Sequence, residues 1–320
     1  MRVTESNRLQ HFPISFFAVV MGLAGLSIAW RKAQQVLEIN PAIDSLAALL
    51  ATLVFISLAL IYLSKLMKYP SAVLQELKHP IKLNFFPTIS ISLILLSIIA
   101  LPYSHGLAGG LWTLGTLMHL LFTQYVMNSW IHHEHYEIHH INPAWFIPVV
   151  GNVLVPITGV ELGHVEISWF FFSIGITFWL VLFTIIFYRV LFHNPLPDKL
   201  MPTFFILIAP PAVGFIAYTK LNGDIDNFAR VLYHGGLFLT LMFLTQAQRF
   251  INLPFALSWW AYSFPLAAIT LASFVMFELT GTVLFQTIGL GLLALLTLIV
   301  TYLIYRTFLA VRNHKVCVPE

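Results

Sequence analysis

The sequence predicts an all-α integral membrane protein with ten transmembrane helices, and three observations support this prediction. Only 9% of the residues are charged, the mean hydropathy is +0.86, and long apolar runs are separated by short polar breaks. A soluble domain usually carries about 25% charged residues, so this chain cannot cover a water-facing surface. A membrane barrel would alternate polar and apolar residues in segments of about ten, whereas these runs are continuous and therefore predict helices.

Ten apolar runs are long enough to cross a bilayer as helices, for which about 20 residues are needed. The predicted spans are 13–30, 45–66, 83–103, 106–127, 143–160, 168–192, 201–218, 227–246, 257–278 and 282–308. Residues 1–10 are polar and lack the order of a cleaved signal peptide. We therefore expect residues 1–320 to form a single transmembrane domain.

The basic residues predict the orientation of the chain. With ten spans, 12 of the 16 Lys and Arg residues fall on the side that holds both termini. The opposite side holds the remaining four: Arg31, Lys32, Lys220 and Arg230. Because basic loops stay in the cytoplasm, we expect both termini to be cytoplasmic and the protein to be multi-pass in the cell inner (plasma) membrane.

Proline placement divides the spans into two classes. Every odd-numbered span contains an early or internal proline, and the even-numbered spans contain none within these limits. The prolines are Pro13, Pro87, Pro148 with Pro156, Pro210 with Pro211, and Pro265. This alternation predicts five quasi-symmetric helical hairpins, each with one kinked helix followed by one straight helix.

The physics of proline predicts where the two classes lie. A proline removes a backbone hydrogen bond and bends the helix, which frees a carbonyl group. Free carbonyls are costly in lipid but are tolerated against protein or a water-filled cavity. We therefore expect the proline-kinked helices to form an inner ring around a central pore, with Pro87, Pro148, Pro210 and Pro265 at its kinks. The straight helices are expected to face lipid.

The membrane interior predicted in this way has almost no charge, which narrows the function classes. The acidic and basic side chains all fall at or near predicted span ends, so no buried carboxylate chain is available to couple transport to protons. Weak dipoles from hydroxyl groups such as Ser15, Thr88 and Ser90 would line the pore. Permeation would then depend on pore width and on how readily an ion sheds water. These features favour a channel or facilitator over a coupled pump.

A histidine-rich segment at 130–140 offers an enzymatic alternative. Imidazole and carboxylate groups bind zinc or iron, and His135, His139 and His140 have the spacing of one histidine box of membrane di-iron enzymes. Such a site needs further boxes from other segments, and the remaining histidines are isolated. A His-box metalloenzyme is therefore the less favoured alternative, and we expect no metal site, no cofactor and no enzymatic activity. A surface loop that titrates near neutral pH is the simpler interpretation.

An aromatic cluster in the ninth span contains a candidate gate. Trp259, Trp260 and Tyr262 suit an aromatic belt at the membrane interface. Phe264 differs, because it precedes Pro265 and lies deeper in the predicted bilayer. On a bent inner helix, a bulky ring at that depth could plug a narrow pore.

Several segments resemble the tellurite-resistance/dicarboxylate transporter family, which includes bacterial TehA-like proteins and the plant slow anion channels. The similar segments are WWAYSFP at 259–265, NPAWFIP at 142–148, APP at 209–211, DNFAR at 226–230 and FPISFF at 12–17. They are spread over nearly the whole chain, and their order and spacing match as well as their composition.

The resemblance implies a homotrimer in which each protomer has ten helices around its own pore. It also implies that a phenylalanine of the ninth helix occludes that pore, which corresponds to Phe264, and that Ala18 packs near this ring. Some relatives have glycine in place of Ala18, so the passage here is expected to be narrower. The plant relatives have long regulatory tails, which this sequence does not show, so control by kinases is not implied.

The expected function is passage of small inorganic or organic anions through a phenylalanine-gated pore in a lipid membrane. Within the same family, coupled export of C4-dicarboxylates or of oxyanions such as tellurite or sulfite is an alternative. A membrane scaffold without transport activity is a third class. Nothing in the sequence predicts a nucleic-acid partner.

Overall fold

The computed structural model describes residues 8–39, 42–132 and 136–318. These residues form twelve α-helices and six short 3-10 segments, and they contain no β-strand. The α-helices are α1 (Phe17–Leu37), α2 (Ile43–Lys68), α3 (Pro70–Lys78), α4 (Pro87–Ala100), α5 (His105–His132), α6 (Ile147–Gly159), α7 (Val165–Phe192), α8 (Ala209–Asn222), α9 (Asn227–Leu244), α10 (Ala247–Ile251), α11 (Ser263–Thr280) and α12 (Val283–Arg312).

Seven helical segments of this described chain are long and apolar enough to cross a membrane. They are Ile14–Leu37, Ile43–Lys68, Lys82–Ala100, Val165–Phe192, Met201–Asn222, Leu257–Thr280 and Val283–Arg312. The other three predicted spans correspond to α5, to α6 with the 3-10 turn before it, and to α9, which are shorter or less apolar. The described residues are thus all-helical, with seven candidate crossings, which is consistent with the expected multi-pass membrane protein, while the number of ten crossings stays a prediction.

Five helices pack in a closed ring, which we call the inner ring. In this ring α1 contacts α4, α4 contacts α6, α6 contacts α8, α8 contacts α11, and α11 returns to α1. The other five long helices are α2, α5, α7, α9 and α12, and each packs against the inner-ring helix that precedes it in the chain. We call these the outer helices.

Burial separates the two sets of helices clearly. In the most apolar stretch of the segments that contain α1, α4, α8 and α11, 72%, 83%, 83% and 78% of the residues are buried. The corresponding values for the outer helices α2, α7 and α12 are 22%, 28% and 33%. Every residue of α6 is buried. The helices that carry the prolines are therefore covered by protein, and the outer helices expose their leucine and isoleucine side chains.

Most of these prolines lie at the start of an α-helix. The sequence had predicted that they would lie at kinks within the helices. Each inner-ring helix follows directly on a 3-10 segment, and Pro87, Pro148, Pro210 and Pro265 all lie within the first three residues of the α-helix. The first N–H groups of an α-helix have no hydrogen-bond partner within the helix, so a proline at this position costs no intrahelical hydrogen bond. Among the prolines of the described residues, only Pro156 lies well inside an α-helix, within α6.

The short helix α3 was not predicted from the sequence, and it buries a charged pair. Lys65 near the end of α2 is 1% exposed, and its Nζ atom lies 2.8 Å from the Glu76 carboxylate of α3. Lys65 also donates to the Phe12 carbonyl at 2.8 Å, and the Tyr62 hydroxyl donates to Glu76 at 2.8 Å. The sequence signals for α3 are Pro70 at its first position and the apolar spacing that follows.

Candidate functional site along the axis of the inner ring

Two small cavities lie inside the inner ring, each lined by residues from all five of its helices. The N-side cavity, of about 40 Å³, is lined by first-turn residues, and the C-side cavity, of about 30 Å³, by residues two to three turns later. The first-turn residues are Ala18, Thr88, Ile147, Ala209 and Phe264. The later residues include Ile28, Ile98, Ile157, Ile216 and Leu271. Each cavity has room for only a few water molecules.

The order of these residues shows that the five inner helices run in the same direction. All of them begin at the N-side cavity and continue past the C-side cavity. A helix carries roughly half a positive elementary charge at its N-terminus. Five parallel N-termini around one cavity therefore favour negative over positive ions at that end.

Phe264 lines both cavities and is only 6% exposed. Its ring packs against the backbone of α1 at Gly25, where an added Cβ would lie 3.5 Å from the Phe264 ring and 2.8 Å from the Ala267 Cβ. This close approach of α1 and α11 restricts the position of the ring.

The lining of the C-side cavity includes five aliphatic side chains, one from each inner helix. We call this set the aliphatic ring, and it comprises Ile28, Ile98, Ile157, Ile216 and Leu271. Beside it, Gly25, Leu95, Leu154 and Val213 continue the apolar lining towards Phe264. These side chains offer an ion no hydrogen-bond donor or acceptor, and an apolar lining of this kind opposes the entry of ions.

Cations near the C-terminal ends of the inner helices are paired with carboxylates. Lys32 of α1 lies 2.5 Å from Glu278 of α11, and Lys220 of α8 pairs with Glu161 after α6. Arg31 lies 3.5 Å from the Asp44 carboxylate and donates to the Ile99 carbonyl at 3.0 Å. These pairs tie neighbouring helices together. They also neutralise much of the positive charge that the sequence places on this side.

A polar node behind the inner ring connects α4, α5 and α6. His119 of α5 has no exposed surface; its Nε2 donates to the Pro148 carbonyl at 3.0 Å, and its Nδ1 lies 2.9 Å from the Ser90 hydroxyl. The Asn152 amide donates to the same carbonyl at 2.7 Å. The imidazole fits only because residue 151 is glycine, where a Cβ would lie 2.0 Å from the ring. Sequence reasoning left His119 as an isolated histidine.

The residues predicted to line the pore divide into two groups. Phe264, Ala18 and Pro265 line the N-side cavity together, with Phe264 also reaching the C-side cavity. The others lie in the inner ring without lining either cavity: Ser15 in the 3-10 turn before α1, and Pro87, Ser90, Pro148 and Pro210 as buried residues of α4, α6 and α8. Ser90 and Pro148 contact His119 of the outer helix α5, so they lie on the side of the inner ring that faces the outer helices.

The belt interpretation of the aromatic cluster is wrong. Trp259, Trp260 and Tyr262 are 7%, 1% and 6% exposed, whereas belt residues present their rings to the lipid interface. A 3-10 segment, Leu257–Tyr262, turns them into the protein. There the Trp260 indole donates to the Thr307 hydroxyl of α12 at 2.9 Å.

The histidine-rich segment shows no metal site in its described part. Residues 133–135, which include His135 of the candidate box, lie outside the described residues. His139 lies 3.1 Å from the Glu137 carboxylate, and the rings of His139 and His140 are 4.0 Å apart. Among the described residues, no three His, Cys, Asp or Glu side chains are grouped so that they could hold a metal ion.

The chain is similar to anion channels and transporters over most of its length. It is 31% identical to the S-type anion channel SLAH2 of Arabidopsis thaliana over 273 residues, 83% of this chain and 52% of SLAH2. It therefore spans about half the length of that relative. It is 28% identical to the Uncharacterized transporter MJ0762 of Methanocaldococcus jannaschii, over 90% of this chain and 91% of the relative.

A bacterial relative and a family model complete the comparison. The Tellurite resistance protein TehA homolog of Haemophilus influenzae is 26% identical over 311 residues, 93% of this chain and 94% of the relative. The model of the SLAC1 family, described as voltage-dependent anion channel, matches residues 11–308. Since this match covers nearly the whole chain, the protein belongs to the SLAC1 family of anion channels and transporters, as the resemblance predicted.

Proposed function

We propose that this protein is an anion channel or facilitator in which small anions pass along the axis of the inner ring, with Phe264 as the gate. One observation supports the proposal: Phe264 lines both of the cavities that residues of the same five inner-ring segments surround. The parallel N-termini at one end favour anions over cations. The family membership and the anion-channel names of the plant relatives point the same way.

The proposal includes ten membrane crossings with both termini in the cytoplasm of the cell that makes the protein. Helix α5 has 28 residues, and α9 has 18, which is close to the length that a bilayer requires. With ten crossings, the N-side cavity opens to the cytoplasm, the side with 12 of the 16 basic residues. Reporter fusions after α5 and α9 would locate these ends, and a reporter after α5 outside the cytoplasm would contradict the topology.

Assembly as a homotrimer is part of the same proposal and rests on the resemblance. The outer helices expose many large apolar side chains, which can contact lipid or another protomer. Light scattering on the detergent-solubilised protein measures the protomer number directly. A monomer in mild detergent would overturn this part and leave the pore within one protomer unaffected.

The gate is tested by Phe264→Ala recorded in planar bilayers or oocytes with ion substitution. We expect the wild type to be nearly silent and the variant to carry a current whose reversal potential follows the anion gradient. Phe277→Ala, on the same helix but away from both cavities, is the matched control and should stay silent. A silent Phe264→Ala variant that is folded and inserted would contradict the gate.

Ion gradients in the same recordings separate the channel from the coupled exporter. A channel current in Phe264→Ala reverses at the anion equilibrium potential. A coupled exporter would shift this reversal with the gradient of a second ion, such as the proton. The scaffold alternative predicts no flux in either form.

A further inference from the structure

The N-side cavity contains three hydroxyl groups in a lining that is otherwise apolar apart from one indole. They belong to Thr88, Thr203 and Ser258, and the indole belongs to Trp260. An anion that leaves water at this point needs hydrogen-bond donors, because hydrocarbon cannot replace its hydration shell. A side chain of this cavity can bind an anion only if its O–H or N–H is not already donated to another group of the protein.

Three of the four donors are already used inside the protein. Thr88 donates to the Phe85 carbonyl at 2.5 Å, and Thr203 donates to the Leu200 carbonyl at 2.5 Å. The indole of Trp260 donates to Thr307 on α12. The two threonines therefore have no free O–H proton to offer an anion.

Ser258 differs from the other three. Its oxygen is shielded from solvent and has no hydrogen-bond partner in the protein. Other serines of the inner ring, such as Ser263 and Ser273, donate to a carbonyl three or four residues earlier. A buried hydroxyl without a partner is rare and costly, so this one requires a physical reason. Among the described residues that line the N-side cavity, Ser258 is the one with an uncommitted O–H donor.

We infer that the Ser258 hydroxyl donates a hydrogen bond to a small, partly dehydrated inorganic anion, such as nitrate or a halide, held in the N-side cavity next to Phe264. Ser258 lies in the 3-10 segment that leads directly into α11 and its gate residue. The positive ends of five helices add to the attraction. With a single free donor, the site favours anions that shed water easily over strongly hydrated ones. This inference rests on the proposed function, since it assigns a ligand contact to the same passage.

Binding can be measured without any current. The wild-type protein and Ser258→Ala are purified in detergent and melted in sodium nitrate and in sodium gluconate of equal ionic strength. A ligand that binds only the folded state raises the melting temperature by mass action. We expect nitrate to raise the melting temperature of the wild type above its value in gluconate, and Ser258→Ala to lose this difference. An equal shift in both proteins, or none in either, overturns the inference and indicates that water satisfies the hydroxyl.

The conducting variant gives an independent measurement. In the Phe264→Ala background, we expect Ser258→Ala to raise the half-saturating nitrate concentration about tenfold, the effect of losing one hydrogen bond to a charged group. Ser258→Thr, which keeps the hydroxyl, should restore it. Thr270→Val, on the same helix as Phe264, removes a hydroxyl that donates to the Leu266 carbonyl and lines neither cavity, so it should leave the value unchanged. An unchanged value in Ser258→Ala would refute the Ser258 contact alone, whereas absence of current in Phe264→Ala would refute the gate.

Discussion

The inner ring and the outer helices are built from similar apolar residues but are held in place differently. The inner helices are fixed by close backbone approaches and by hydrogen bonds to side chains of other helices, as at Gly25 and His119. The outer helices α2, α7 and α12 bury only a quarter to a third of their most apolar residues. The apolar residues of a segment therefore determine that it lies in the membrane. Its small residues and polar side chains determine which neighbouring helix it packs against.

The largest expected effect comes from breaking the buried charged contact between the outer helix α2 and the short helix α3. Lys65→Met leaves the buried Glu76 carboxylate without its cation, and we expect a loss of about 3–5 kcal/mol in unfolding free energy. The double variant Lys65→Met with Glu76→Leu should recover most of this loss, because no unpaired charge is left buried. Denaturation in detergent micelles measures both. If the single and double variants are equally unstable, the loss is caused by packing and not by charge.

The next effect compares one glycine from each set of helices. Gly151→Ala on α6 places a methyl group inside the His119 ring position, so we expect a loss of about 3 kcal/mol from overpacking and broken hydrogen bonds. Gly291→Ala on the outer helix α12 meets no atom within 4 Å and should be neutral or stabilising by up to about 1 kcal/mol. Melting temperatures of the two variants, compared with wild type, check the contrast. Equal shifts would mean that the inner ring adapts as easily as the outer surface.

A smaller effect concerns the axis of the inner ring. In the Phe264→Ala background, we expect Ile157→Ser to increase the anion current several-fold, since a hydroxyl in the aliphatic ring eases wetting of the constriction. Leu180→Ser on the exposed surface of α7 introduces the same group away from the cavities and should not change the current. Single-channel conductance separates wider passage from more frequent opening. An unchanged conductance in Ile157→Ser would show that the aliphatic ring is not limiting.

The smallest effect lies outside the membrane, at the start of the outer helix α9. The Tyr218 hydroxyl, which donates to Asp226 at 2.5 Å, and the N–H of Ala229 hold the pKa of this N-cap carboxyl below its ordinary value of 3.8. A lowered pKa stabilises the folded state above pH 3.8, and this stabilisation is lost as the pH falls through the folded-state value. We therefore expect Asp226→Asn to melt slightly earlier than wild type at pH 6, with the difference shrinking below about pH 4. A difference independent of pH would contradict the role of the carboxylate charge.

The sequence was sufficient to predict the all-helical membrane fold and to single out the helices that form the inner ring. Both inferences depend on local properties of the chain. A proline changes the helix that contains it, and a long apolar run is by itself enough to predict a membrane-spanning helix. Phe264 was likewise found from its place beside Pro265. In the structure it lines both cavities, while its function as a gate stays a prediction.

The remaining contacts could not be predicted, because they join residues far apart in the chain. His119 meets the Pro148 carbonyl 29 residues later, and Lys65 meets the Phe12 carbonyl 53 residues earlier. Neither contact leaves a periodic signal in the sequence. The burial of Trp259 and Trp260 was missed for a related reason, since a 3-10 segment presents its side chains with a different period from an α-helix.

The close approach of α1 and α11 at Phe264 has a consequence for how a passage could open. An added Cβ at Gly25 of α1 would lie 3.5 Å from the Phe264 ring and 2.8 Å from the Ala267 Cβ, so the two helices meet almost backbone to side chain here. Both helices belong to the closed circle of five. If Phe264 is the gate, a change in the distance between these two helices changes the room left for its ring. Conductance would then respond to whatever spreads those helices, including lateral tension in the surrounding lipid.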